Sequence, residues 1–191
     1  MSGIWTPPEA LLGTDDQPVE GLTGWAEGFR STGVAREGNT PFSVPLISHI
    51  EGNLWTGGCI DDVRLPDHFK FVVSLYPWER YRIDHNEVSR LEVPLYDSSE
   101  GEPDAALLSG IASWVNVCRQ RGPTLVHCQA GLNRSSLVAA LALVLDGVEP
   151  AAAISLIRER RSSSCLCNTK FESWLRAFSV GVVRGHAEEP E

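Results

Sequence analysis

Residues 124–147 read TLVHCQAGLNRSSLVAALALVLDG, and the change of pattern inside this stretch decides the fold. Thr124 to Cys128 is a short apolar run of the buried-strand type, entered from the turn pair Gly122-Pro123. From Ser135 to Gly147 the residues are apolar nearly all round, which predicts a buried helix. Between them lies the short loop Gln129 to Arg134. A strand that passes into a helix through a short loop is a unit of α/β architecture with a mainly parallel sheet.

Upstream, Pro103 and Asp104 introduce AALLSGIASWVNVCRQR, whose Leu107, Leu108, Ile111, Trp114, Val115 and Cys118 follow helical spacing, with basic residues in the last turn. Two compact apolar runs precede it: FKFVVSLY (Phe69 to Tyr76), ended by Pro77, and LEVPLYD (Leu91 to Asp97), which leads into the polar SSEGEPD. Both read as strands. VPLISHIEG and NLWTGG, from Val44 on, read as two strands around a Gly-Asn turn. Downstream, Pro150 opens a helix over AAAISLIRERR, and Asn168 is a cap for TKFESWLRAF. The expected fold is a single α/β domain over residues 44–180, a central mainly parallel sheet flanked by helices. Residues 1–43, rich in Gly, Pro and acidic residues with isolated Trp5, Trp25 and Phe29, read as an extended or partly ordered arm, and 181–191 as a polar tail.

The chain has 191 residues, 42% of them hydrophobic, enough for one continuous core without metal or disulfide staples. Its five cysteines, Cys59, Cys118, Cys128, Cys165 and Cys167, are odd in number and lack CxxC pairing, which points away from a disulfide framework or zinc site and toward a reducing cytoplasm. His49, His68 and His85 form no ligand pattern, so neither metal nor cofactor is expected. No run approaches the roughly twenty apolar residues of a membrane span, and the beginning MSGIWTPPEA lacks a secretory layout. The formal net charge of -9 disfavours nucleic acid and acidic membranes as partners, and a monomer is expected.

A Cys and an Arg separated by five residues recur by chance in a chain with five cysteines, so the weight falls on context. Nucleophilic attack by Cys128 needs a thiolate, so its surroundings must favour negative charge. A helix that begins just after the loop aims its positive end and unpaired amides at the sulfur, and the same amides, curled into a nest at Gly131, can hold the oxygens of a phosphate. Arg134 adds a planar fork for two phosphate oxygens. Ser135 can donate to the sulfur and improve it as a leaving group, and His127 orients the loop without acting as a base. The phosphate-binding set is thus Gln129, Ala130, Gly131, Leu132, Asn133 and Arg134.

His127-Cys128-Gln129-Ala130-Gly131-Leu132-Asn133-Arg134-Ser135 resembles the signature loop of the cysteine-based protein tyrosine phosphatase superfamily, most like its compact (atypical) dual-specificity group. The resemblance implies a phosphocysteine intermediate and a separate Asp that protonates the leaving oxygen. Val93-Pro94-Leu95-Tyr96-Asp97 matches the family text for that Asp, about thirty residues before the Cys, and makes Asp97 the expected general acid. Asn53 to Gly58 is similar to the family's first-strand text, and Asn168 with Phe171 to its late Asn-x-x-Phe helix. No aromatic-bearing recognition loop of the tyrosine-specific enzymes is found, which by resemblance implies a shallow pocket. Asn133, and Ser136 where the family commonly has Gly, depart from its pattern; Gly-x-Asn-Arg is similar to the RNA 5′-triphosphatase branch, which acts on phosphorylated RNA ends.

Other readings stand beside these. Asp97 could cap a turn, with Glu100 or Asp104 as the acid instead. Arg158, Arg160 and Arg161 read as a solvated helix end, with the alternative that they flank the pocket and meet a second phosphate or an acidic peptide. The remaining cysteines read as core or surface thiols, any of which could pair reversibly with Cys128. The expected activity is hydrolysis of phosphate monoesters, phosphotyrosine and phosphoserine or phosphothreonine of a protein or peptide. The alternatives are a polyphosphate hydrolase of RNA ends, a quiet phosphopeptide-binding module, or sulfur transfer.

Overall fold

The computed structural model describes residues 34–37, 40–84, 87–98 and 101–179. Trp5, Trp25, Phe29, His85, Glu100 and the tail 181–191 lie outside them. The elements run β1 (Val34–Glu37), β2 (Thr40–Pro45), β3 (Ile47–Glu51), β4 (Leu54–Gly57), β5 (Phe71–Ser74), β6 (Ser89–Glu92), α1 (Ala105–Arg119), β7 (Thr124–His127), α2 (Arg134–Leu145), α3 (Pro150–Arg160) and α4 (Thr169–Ala177). A two-stranded sheet joins β1 to β2, and the second sheet has the order β3-β4-β7-β5-β6, antiparallel only between β3 and β4. The strand β2 lies across the arm boundary drawn at residue 43, so the arm's end is paired chain.

The central strands are buried on both sides, and their alternate residues divide between two cores. Leu54, Val73 and Val126 join the larger cluster, which takes side chains from all four described helices, among them Leu108, Leu137, Ile154 and Phe171. Trp55, Val72 and Leu125 face the smaller cluster, closed by loop residues Cys59, Leu65, Phe69 and Tyr81. On α1, Leu108, Ile111, Val115 and Cys118 are buried as the spacing predicts, whereas Leu107 is exposed. The polar Asn116 is buried as well, and its amide donates to Ala142 O at 2.8 Å and ties α1 to α2.

The predicted strand over Leu91–Asp97 is shorter and earlier, Ser89–Glu92, because Pro94 has no amide to continue the ladder. The chain past it remains tied to β5's end by Val93 N–H to Ser74 O at 2.9 Å and Leu95 N–H to Leu75 O at 3.2 Å.

Register then assembles the site. Gly57, His127, Ser74 and Glu92 end their parallel strands and lie side by side, so the segments that follow them converge beyond the carboxyl ends of the strands. The loop after β7 packs directly on the backbone after β4. A Cβ on Gly57 would lie 2.6 Å from Leu46 O, one on Gly58 2.6 Å from Gln129 O, and one on Gly131, whose φ is +74, 2.3 Å from Gly57 C. These contacts explain the Gly-Gly pair at the end of β4. We expect Gly58→Ala to lower stability by about 1–3 kcal/mol through overpacking against the loop, read as the midpoint of urea unfolding; an unchanged midpoint would contradict this packing.

Candidate active site

The loop Cys128–Asn133 gains its shape from where its carbonyls go. Gln129 O accepts from Cys59 N–H at 2.9 Å, and Leu132 O from Leu166 N–H at 2.9 Å. Between them Ala130 O accepts from Arg161 Nη2 at 3.1 Å, and Gly131 O from Arg161 Nε. Four successive oxygens are thereby turned outward. In a trans peptide the next residue's N–H points the opposite way, so the amides of Ala130, Gly131, Leu132 and Asn133 are directed to the inside of the curl. This is an anion-binding nest.

Arg161 corrects the sequence reading. It is 7% exposed and carries no solvated helix end; its Nη1 also donates to Pro45 O and Ser48 Oγ, each at 3.1 Å. Burial draws its guanidinium below the ordinary arginine value, but arginine's ordinary value is high enough that the charge remains at neutral pH. Arg158 is likewise engaged, with Glu172 at 2.7 Å and with Cys165 O, while Arg160 is exposed.

Inside the nest, Cys128 Sγ receives Gly131 N–H at 3.2 Å and lies 3.5 Å from Ser135 Oγ in the first turn of α2. The helix meets the sulfur with its amides free of a side-chain cap, because the cap residue Asn133 turns its side chain elsewhere. Asn133 Oδ1 accepts instead from Asn168 N–H at 3.0 Å and lies 3.3 Å from Cys167 Sγ. Asn133 thus contributes backbone to the nest and uses its side chain to hold the loop before α4. The other thiols near the site meet no such surroundings. Burial pushes Cys59 and Cys165 up, and Cys167 up to about 11.

His127 stands behind the loop, its Nδ1 3.4 Å from Cys128 O and its ring edge-on to Tyr81 at 5.3 Å. Burial pushes it down to about 4, against the hydrogen bond to Cys128 O, with Arg90 adding to the depression. It is therefore neutral at pH 7.

Arg134 and Asp97 close the mouth. The cleft is lined by Asp97, Cys128, Gln129, Ala130, Leu132, Asn133 and Arg134. Arg134 Nη1 donates to Leu95 O at 3.2 Å and its guanidinium carbon lies 5.1 Å from the Tyr76 ring centre, while Nε is buried with no partner among the described residues. Asp97 Oδ1 accepts from Asn168 Nδ2 at 2.8 Å. Asp104, the other described candidate acid, caps α1 by accepting Leu107 N–H at 3.0 Å, and Glu100 lies outside the described residues. Sequence reasoning missed the rim: Trp78 and Tyr96, 55% and 72% exposed, form with Tyr76 an aromatic ledge with ring spacings of 4.9 and 6.1 Å. Their only signal was an aromatic at or near the end of each of two predicted strands, Tyr76 and Tyr96, with Trp78 just beyond the first.

A Cys–Arg nest at a strand-to-helix turn with a carboxylate at its mouth defines a class, and comparison with known proteins agrees. The family model for the dual specificity phosphatase catalytic domain matches residues 65–180. The chain belongs to that family. It is 27% identical over 111 residues to dual specificity protein phosphatase H1 of variola virus, covering 56% of this chain and 62% of the relative. Cyclin-dependent kinase inhibitor 3 of Sus scrofa is 38% identical over 81 residues, 41% of this chain and 38% of that protein. The chain thus spans less than two thirds of the length of these curated relatives. The crystal structure of human DUSP28 superposes with a TM-score of 0.61 at 20% identity, over 71% of this chain and 97% of that one.

Two outcomes follow from the buried supports. Arg161→Leu leaves loop carbonyls without donors and is expected to lower stability by about 3 kcal/mol or more, whereas a melting temperature within a degree or so of wild type would deny the brace. His127 binds fewer protons folded than unfolded between its ordinary value of 6.5 and about 4. Stability should therefore fall as pH drops through that window, by up to about 3 kcal/mol from this group. His127→Asn should flatten that part of the pH–stability curve, and an unchanged slope would contradict it.

Proposed function

We propose that this chain is a protein phosphatase that hydrolyses phosphate monoesters, phosphotyrosine and phosphoserine or phosphothreonine, through a phosphocysteine. The observation that carries this reading is Cys128 Sγ receiving the Gly131 amide inside a loop whose carbonyls are held outward, in one cleft with Arg134, whose Nε is buried with no partner among the described residues. Residues 44–180 form the proposed catalytic unit, acting as a monomer in a reducing cytoplasm that keeps Cys128 free.

In the first step Cys128 Sγ attacks phosphorus from the floor of the nest. The S–P bond forms as the P–O bond to the leaving group breaks, and Asp97 gives its proton to the departing oxygen. The loop amides and Arg134 hold the three equatorial oxygens as charge spreads over them. In the second step water attacks the phosphocysteine, Asp97 takes its proton, and the S–P bond breaks with the electron pair returning to sulfur. Ser135, 3.5 Å from Sγ, supports the sulfur as that charge returns. Asp97 at the cleft favours a monoester over a polyphosphate end, whose leaving group needs no proton. The exposed ledge of Trp78 and Tyr96 offers a phosphopeptide apolar area next to the phosphate cleft.

Cys128→Ser should abolish phosphate release from phosphopeptides, and near wild-type release by that variant would refute the mechanism. Asp97→Asn should lower kcat/KM, which reports departure of the leaving group and not the later hydrolysis of the phosphocysteine, by about a hundredfold or more on phenyl phosphate, and far less on p-nitrophenyl phosphate, whose leaving group is acidic. An equal loss on both esters would remove Asp97 from the acid role.

A further inference from the structure

Asp97 lies on an exposed, irregular stretch after a proline, a poor place from which to deliver a proton to one oxygen. One residue from another element takes hold of it. Asn168 Nδ2 donates to Asp97 Oδ1 at 2.8 Å and to Ser98 O at 3.1 Å, reaching across seventy-odd residues of chain.

The orientation of that amide is fixed by its other end. Asn168 is the N-cap of α4, and its Oδ1 accepts from Lys170 N–H at 3.1 Å and Phe171 N–H at 3.4 Å. Turning the amide over would set its oxygen against a carboxylate and a carbonyl, and its NH2 against two N–H groups, four repulsive contacts in place of four favourable ones. The backbone N–H of Asn168 in turn donates to Asn133 Oδ1, in the nest residue that precedes Arg134. Lys170 Nζ adds a contact of 3.4 Å to Gly101 O, farther along the Asp97 segment. Asn168 therefore links three parts with fixed geometry: the cap of α4, the phosphate nest and the carboxylate.

We infer that Asn168 is a positioning residue for the proton transfer: it commits Asp97 Oδ1 to accepting a hydrogen bond, which leaves Oδ2 as the oxygen that carries the proton toward the leaving group. The inference rests on the acid role proposed for Asp97. It goes beyond helix capping because the cap uses only the oxygen of the amide, whereas the carboxylate uses only the nitrogen.

The two jobs separate by substitution. Serine caps a helix about as well as asparagine, but its hydroxyl is too short to reach Asp97, so Asn168→Ser keeps the cap and loses the donor. Asn168→Asp likewise keeps the acceptor, loses the NH2 and serves if the serine variant folds poorly. With the full chain, kcat/KM, which covers the steps only as far as departure of the leaving group, is measured on phenyl phosphate and on p-nitrophenyl phosphate for wild type, each Asn168 variant, Asp97→Asn and the Asn168–Asp97 double variant. We expect Asn168→Ser to lose about tenfold on phenyl phosphate and less than about twofold on p-nitrophenyl phosphate, and to add nothing further when Asp97 is already Asn. An equal loss on the two esters, or the same loss with and without Asp97, would overturn the inference and leave Asn168 a structural cap. If Asp97→Asn itself loses equally on both esters, the acid role falls, and the positioning role falls with it.

Discussion

Four successive carbonyl oxygens, those of Gln129, Ala130, Gly131 and Leu132, are held outward by donors that belong to the rest of the molecule. Everything at the site depends on that constraint. A loop of six residues would otherwise turn its peptides to suit solvent, and its amides would converge on nothing. The donors come from far apart in sequence: the Cys59 amide after β4, the Arg161 guanidinium after α3, and the Leu166 amide before α4. Gly57 and Gly58 permit the close approach that the first of these needs, and Tyr81 fixes Gly58 in turn by donating to its carbonyl at 2.7 Å. The fold is in this sense a clamp around one short backbone.

The clamp also accounts for an acidic protein with a site built for an anion. Net charge of -9 acts over the whole surface, but its effect decays within about 10 Å in ordinary salt, whereas the nest amides and Arg134 meet an anion at contact. The ion pairs elsewhere, Arg64 with Asp67 and Asp84 or Arg80 with Glu92, have both partners substantially exposed and contribute little either to stability or to the field at the cleft. Local geometry, not bulk charge, decides what the site receives.

How much of this was legible in the sequence depends on the range of the interaction. The strand–loop–helix unit, the buried α2, the Pro150 start of α3 and the Asn168 cap of α4 are local, and residue type and spacing carry them. The nest residues were legible because the chemistry demands those types, and Asp97 only through the family text around it; Asp97, Cys128, Arg134 and the loop residues between them other than Gly131 line one cleft. Arg161 was not legible: its position at a helix end gives a solvated reading, and only the three-dimensional return of α3 under the loop buries it. Asn133 looked like an odd choice beside Arg134 until its partner, the Asn168 amide 35 residues on, was in view. The strand over Leu91–Asp97 was overextended because apolar alternation continues past Pro94 while ladder pairing does not. The ledge of Trp78 and Tyr96 escaped because two aromatics in separate loops share no local pattern.

The central claim is that Cys128 takes the phosphoryl group onto its own sulfur. The most direct measurement is mass spectrometry of the full-length protein, quenched in acid during turnover of an aryl phosphate and digested. We predict one phosphoryl adduct, on the peptide that contains Cys128, present during turnover and gone once substrate is exhausted. Sustained turnover with no adduct at Cys128, or with the phosphoryl group on another residue, would contradict the account.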